Sequence, residues 1–240
     1  MKHKIITFGE LMLRLSPDNN ERFTQAHSYE AVYGGGEANT AVSLANFNVD
    51  TRYVTKLPNH TIGQSAVNSL RQYGVDVSRI VRGGDQIGIY FLEKKTSQRP
   101  TNVIYNRNGS AFALATKEDF DWNSIFEGAT WFHFSGITPA ISDNMAEITI
   151  EACKEAKKRN ITVSCDLNYR SKLWSSEKAN KVMSEVCKYV DICIANEDDA
   201  VGIFGMDASK SDKEKNAYIA EELTKMFPNF KMVASVWRTE

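Results

Sequence analysis

The sequence predicts an α/β fold: a doubly wound, mostly parallel sheet with a small β-sheet lid. Three observations carry this. From Trp131 onward, short apolar runs alternate with amphipathic helical stretches, the order that yields a parallel sheet covered on both faces. Residues 86–107 break that rhythm with two alternating runs around a polar turn. Polar residues then gather just after several strands, at the edge where open parallel sheets bind ligands.

Taken in order, Lys4–Phe8 is a buried strand ending at Gly9-Glu10. Leu11–Ser16 is extended and stops at Pro17. Gly34-Gly35-Gly36 opens a helix over Glu37–Phe47, with Ala38, Ala41, Val42 and Ala45 on one face. Thr51–Thr55 is a strand, and Thr61–Tyr73 a helix closed by Gly74. In 86–107, Ile87, Ile89 and Phe91 alternate with Gly88, Tyr90 and Leu92, and Thr101–Arg107 alternates again, as in an antiparallel pair. The βα rhythm resumes with strands at Trp131–Phe134, Ile161–Cys165, Asp191–Ala195 and Lys231–Val236. Helices are predicted at Ser142–Arg159, Ser176–Tyr189 and Glu197–Phe204, and from a capping box at Ser211 to about Phe227.

Composition narrows the function classes. The chain has 240 residues, 42% hydrophobic and 25% charged, with a formal net charge of −1. Those values suit a soluble globular chain and give no electrostatic footprint for nucleic acid. No stretch approaches the ~18 apolar residues of a membrane span. The apolar run after Met1–Lys4 is soon broken by Glu10 and Arg14, so it is no signal peptide, and a cytoplasmic location is expected. Cys153, Cys165, Cys187 and Cys193 form no Cys-x-x-Cys pair and read as reduced, buried small hydrophobes.

Polar strand ends supply the site candidates: Gly9-Glu10, Ser135-Gly136, Asp166 to Arg170, and Asn196 to Asp199. Any one of them is equally a helix cap; four on one edge favour a site. The glycine run offers free N–H groups to a ligand. It departs from the dinucleotide fingerprint, because Asn39 stands where the third glycine belongs and 25 residues separate the run from the first strand. Tyr105 and Arg107 share one strand face, with Tyr90 on the neighbouring strand. Their convergence is plausible on register grounds, and a solvated face is the alternative. Arg170 is either a solvated charge or a receptor for carboxylate or phosphate. His133, within Trp131–Phe134, reads as a satisfied core histidine rather than a catalyst.

Taken together, Thr7–Pro17, Gly34–Ala41, Gly88-Ile89-Tyr90, Ile104–Arg107, Asp166–Arg170 and Asn196–Asp199 resemble the ribokinase-like family of carbohydrate kinases. Within it, the set Tyr90, Tyr105, Arg107 and Arg170 is similar to the 2-keto-3-deoxygluconate kinase branch. The resemblance implies an α/β core over 1–10, 34–85 and 112–240, and a β lid over 11–33 and 86–111. Lid pairing into a homo-oligomer is expected, with Ile87, Ile89 and Phe91 as an exposed apolar face. Gly34, Gly35 and Asn39 would bind substrate hydroxyls; Tyr90, Tyr105, Arg107 and Arg170 would hold the keto acid. Asn168, Asn196 and Asp199 would serve nucleotide phosphates, with Asp199 also reaching Mg²⁺ through water. Asp199 stands where the family carries Glu, which shortens the reach.

The implied activity is transfer of the ATP γ-phosphoryl to the terminal (6-) hydroxyl of 2-keto-3-deoxygluconate, with ATP and Mg²⁺ as cofactors and a sugar acid as partner. The alternatives are another sugar kinase such as a fructokinase, or a non-catalytic sugar-acid-binding protein. The family's Gly-Ala-Gly-Asp motif, which supplies the general base and an anion hole, is absent from 1–240. No catalytic residue is therefore assigned within the chain. The base is expected beyond Glu240, in a C-terminal part of the fold that this chain lacks, and residues 1–240 alone are expected to be inactive and prone to aggregate.

Overall fold

A computed structural model of the chain describes residues 3–207 and 212–235. In chain order its elements are β1 (Lys4–Phe8), β2 (Met12–Pro17), β3 (Tyr29–Gly34), α1 (Gly36–Asn46), β4 (Asp50–Val54), β5 (Lys56–Leu57), α2 (Thr61–Arg71), β6 (Val81–Arg82), β7 (Ile89–Glu93), β8 (Asn102–Asn106), α3 (Trp122–Ile125), β9 (Trp131–Ser135), α4 (Ile137–Ala140), α5 (Asp143–Lys158), β10 (Thr162–Asp166), α6 (Ser176–Val186), β11 (Ile192–Ala195), α7 (Glu197–Phe204), α8 (Asp212–Met226) and β12 (Met232–Ser235). They fall into two compact units, residues 1–8 with 116–240, and residues 9–115.

In the first unit, strands run parallel in the order β12-β11-β10-β9-β1. Each successive strand from β9 to β12 is reached through a helix, as the alternating sequence demands. One sheet face is sealed by Ile6, Phe8, Phe132, Phe134, Val163, Cys165 and Cys193, all essentially inaccessible. Phe8 meets Phe120 and Trp122 edge-on, with ring centroids 5.2 and 5.4 Å apart. On the other face Trp131, His133, Ile192 and Ile194 are half-buried. Helix α5 follows from its pattern: Met145, Ile148, Ala152 and Ala156 are buried on one stripe, and Ser142 Oγ accepts the Met145 N–H at its start. Met145 and Ile148 each contribute about 1.5–3 kcal/mol on burial, and the alanines less. The Asp191 carboxylate joins three strand segments by accepting from Lys157 Nζ and the Val163 N–H and pairing with Lys231.

His133 is a satisfied histidine, half-buried rather than in the core. Its Nδ1 lies 2.9 Å from Ser164 Oγ, which also accepts from Trp131 Nε1, and burial pushes its pKa down to about 4. All four cysteines are free thiols and buried. The capping box at Ser211, Val236 of the last strand and the terminal Trp237–Glu240 lie outside the described residues.

The second unit holds a mixed sheet in the order β3-β2-β7-β8, together with the glycine-led helix α1. Strands β2 and β3 are antiparallel, β2 and β7 parallel, β7 and β8 antiparallel. Strand β3 was not expected. Helix α2 ends at Arg71, and Gly74, at φ 80°, turns the chain after it.

One expectation is corrected here. Ile87 is buried in a cluster with Leu11, Ala38, Tyr53 and Leu70, and Ile89 packs against the same cluster. Phe91 meets Phe23 edge-on at 6.3 Å. Alternation identifies residues that share a side; it does not say which side the core occupies. The exposed large side chains of this sheet are Tyr29, Ile104 and Tyr105.

Candidate sugar-acid and phosphate site

The second unit contains the sugar-side candidates. The chain enters α1 through Gly34 and Gly35, and of the two only Gly35 has no room for a side chain. A Cβ on Gly35 would stand 2.2 Å from the Glu10 carbonyl oxygen, which is main chain and cannot yield. One on Gly34 would stand 3.8 Å from the Tyr90 hydroxyl and 3.9 Å from Asn39 Oδ1. Gly34, Asn39 and the Tyr90 hydroxyl thus border one small volume at the start of α1. Tyr90 and Tyr105 are direct register partners, with rings 5.8 Å apart. The Arg107 guanidinium lies 5.8 Å from the Tyr105 ring centroid.

Arg107 is not a free cation. It is 6% exposed, its Nε donates to Glu10 Oε2 at 2.7 Å, and its Nη2 pairs with the same oxygen. Ser110 Oγ donates to Glu10 Oε1 at 2.5 Å. Burial raises the Glu10 pKa above its usual value, against the opposing pull of Arg107 and Ser110.

The first unit holds the remaining candidates. Register puts Ser135 beside Asp166 and Asp166 beside Ile194, so β9, β10 and β11 finish on one edge. Beyond β10, Asn168 adopts a left-handed φ of 38°, an uncommon conformation for a side chain-bearing residue. Arg170 is exposed, and its Nη1 donates to the adjacent Tyr169 carbonyl at 3.3 Å. Asn196 and Asp199 form a reciprocal cap at the start of α7: Asn196 Oδ1 accepts the Asp199 N–H, and Asp199 Oδ2 accepts the Asn196 N–H. Asp199 Oδ1 accepts the Tyr169 N–H at 2.6 Å. Burial raises the pKa of this carboxyl, and the two backbone N–H groups oppose the rise.

Both Asp199 oxygens are therefore occupied by main-chain donors that tie the β10–α6 loop to α7. These contacts orient the carboxylate, and no group of three or more His, Cys, Asp or Glu side chains among the described residues could hold a metal ion.

A model of the pfkB family carbohydrate kinases matches residues 2–229. The chain belongs to the pfkB family of carbohydrate kinases. It is 37% identical over 209 residues to a 2-dehydro-3-deoxygalactonokinase of Haloferax volcanii, spanning 86% of this chain and 65% of that protein. It is 28% identical over 179 residues to a 2-dehydro-3-deoxygluconokinase of Bacillus subtilis, spanning 74% of this chain and 55% of that protein. It thus covers less than two thirds of the length of these curated relatives. A crystal structure of a 2-dehydro-3-deoxygluconokinase from Thermotoga maritima superimposes with a TM-score of 0.96 at 48% identity, covering all of this chain and 73% of that one.

Within this pfkB-family chain the two arginines read alike from sequence differ in state: Arg170 is open to solvent, and Arg107 is buried and paired. Sequence reasoning missed the role of Glu10 and Ser110 around Arg107. Glu10 stood out only as a polar strand end, and 97 residues separate it from Arg107.

Proposed function

We propose that the chain carries the sugar pocket of an ATP-dependent kinase of 2-keto-3-deoxygluconate (2-dehydro-3-deoxygluconate), which phosphorylates its 6-hydroxyl. The observation that carries this reading is the Tyr90 hydroxyl beside Gly34 and Asn39, with the Tyr105 ring tilted against that of Tyr90 and Arg107 next to Tyr105. Gly34, Gly35, Asn39 and the tyrosines take the sugar hydroxyls. Arg107 of the second unit and Arg170 of the first are each suited to a carboxylate, which planar guanidinium groups receive. Asn168 and Asn196, at strand ends, serve the nucleotide phosphates. Asp199 holds the loop that presents Arg170. The similarity to both gluconate and galactonate kinases supports a 2-keto-3-deoxy sugar acid as substrate class. A neutral sugar would leave Arg170 without an anion.

The partners follow: a sugar acid, ATP, and a second copy of the chain joined through the small sheet, where Ile104 is exposed on the face opposite Tyr105. Calorimetric titration with 2-keto-3-deoxygluconate, its galactonate epimer and D-fructose tests the substrate class. Tight binding of either acid and weak binding of fructose support it; equal binding of fructose refutes it. In a longer protein that joins this chain to a Gly-Ala-Gly-Asp segment, with ATP and Mg²⁺ added, transfer to the 6-hydroxyl would appear in the ³¹P spectrum as a phosphomonoester split by two C6 protons.

A further inference from the structure

Within the second unit, Glu10 touches each segment that brings a sugar-side candidate. Its carbonyl oxygen fills the space a Cβ on Gly35 would need. Its Oε1 fills that beside Gly88, 2.5 Å from the would-be Cβ and two residues before Tyr90. Its carboxylate holds Arg107 and Ser110. Ser110 Oγ accepts the Ala113 N–H at 3.1 Å while donating to Glu10, so main chain aims Oε1 and the guanidinium aims Oε2.

We propose that Glu10 is a positioning residue of the pocket: it fixes the Arg107 guanidinium through Nε and Nη2, so that the substrate carboxylate meets the edge Glu10 leaves free. The proposal rests on the reading that Arg107 receives the sugar acid. A guanidinium has five N–H donors in a rigid plane. Glu10 engages one side of that plane, and no partner of Nη1 is seen among the described residues. A buried arginine without a counter-charge would be costly, and one free to rotate would present no fixed fork. Glu10 removes both problems with one contact.

The test uses the whole chain, titrated with 2-keto-3-deoxygluconate and with D-fructose, and the arginine side-chain ¹H–¹⁵Nε spectrum. The Arg107 Nε–H resonance is assigned by its loss in Arg107→Lys. In Glu10→Gln this resonance is expected to leave its charge-assisted hydrogen-bonded position. The Kd for the keto acid should rise roughly 10–100-fold, and that for fructose less than about threefold. Ser110→Ala, which keeps the charge, should shift the same resonance and raise the keto-acid Kd by a smaller factor, and it decides the matter if Glu10→Gln does not fold. A resonance unmoved by both variants overturns the proposal, as does an equal loss of affinity for both sugars. If the unaltered chain binds no keto acid, the substrate reading fails, while the resonance still decides whether Glu10 positions Arg107.

Discussion

The Tyr90 hydroxyl lies 3.8 Å from the point where a Cβ on Gly34 would stand, whereas the Glu10 carbonyl oxygen lies 2.2 Å from that point on Gly35. Adjacent glycines therefore answer to different demands. Gly34→Ala should leave the melting temperature nearly unchanged and weaken sugar-acid binding ~10-fold or more, because a methyl enters the pocket. Gly35→Ala should destabilise by about 3 kcal/mol or more, since backbone must move. Gly36→Ala, with nothing within 4 Å, should stabilise by roughly 0.5–1 kcal/mol. Thermal melts and calorimetry on the three variants check this, and the same order of effects at all three positions would contradict it.

Arg170→Ala should weaken keto-acid binding by ~10–150-fold and change stability by less than about 0.5 kcal/mol, because the side chain is exposed. Arg107→Ala should cost about 3–5 kcal/mol, because it leaves Glu10 buried and unpaired. Urea denaturation separates the two, and a stability loss for Arg170→Ala equal to that of Arg107→Ala would be the contrary result.

Asp199→Asn should destabilise by about 1–3 kcal/mol, because an amide NH₂ would face one of the two main-chain N–H groups that the carboxylate now accepts. Mg²⁺ affinity, followed by calorimetry, should be the same in the variant as in the unaltered chain. A variant of unchanged stability with weaker Mg²⁺ binding would make Asp199 a metal ligand instead.

His133 gives a pH dependence with a definite sign. Its folded pKa, about 4, lies below the unfolded value of 6.5. Below pH 6.5 the unfolded chain gains a proton that the folded chain refuses, so stability falls as pH drops from 6.5 to about 4, by ~2–3 kcal/mol. His133→Asn removes the titrating ring, and its stability should lack this slope in denaturation curves taken at pH 7, 6, 5 and 4.

Much of this architecture could be read from residues alone. The parallel strands β9, β10 and β11 announce themselves because their apolar runs are short and separated by helices of clear period. Tyr90 and Tyr105 were expected on neighbouring strands, but register depends on pairing that no local pattern encodes; the structure makes them direct partners. Strand β3 was illegible because Tyr29–Gly34 is an exposed edge whose Glu30 and Gly34 blur any alternation. The pairing of Glu10 with Arg107 left no signal, since nothing near either residue marks the other.

The four buried thiols have a practical consequence. Cys153, Cys165, Cys187 and Cys193 all belong to the first unit, and burial pushes every one of them well above the usual thiol pKa. A thiol reagent in solution finds no reactive thiolate until that unit opens. Labelling therefore acts as a clock that runs for residues 116–240 and is silent for 9–115. Timed alkylation followed by mass spectrometry would report opening of the sheet-bearing unit separately from loss of the glycine-led helix, with no probe introduced.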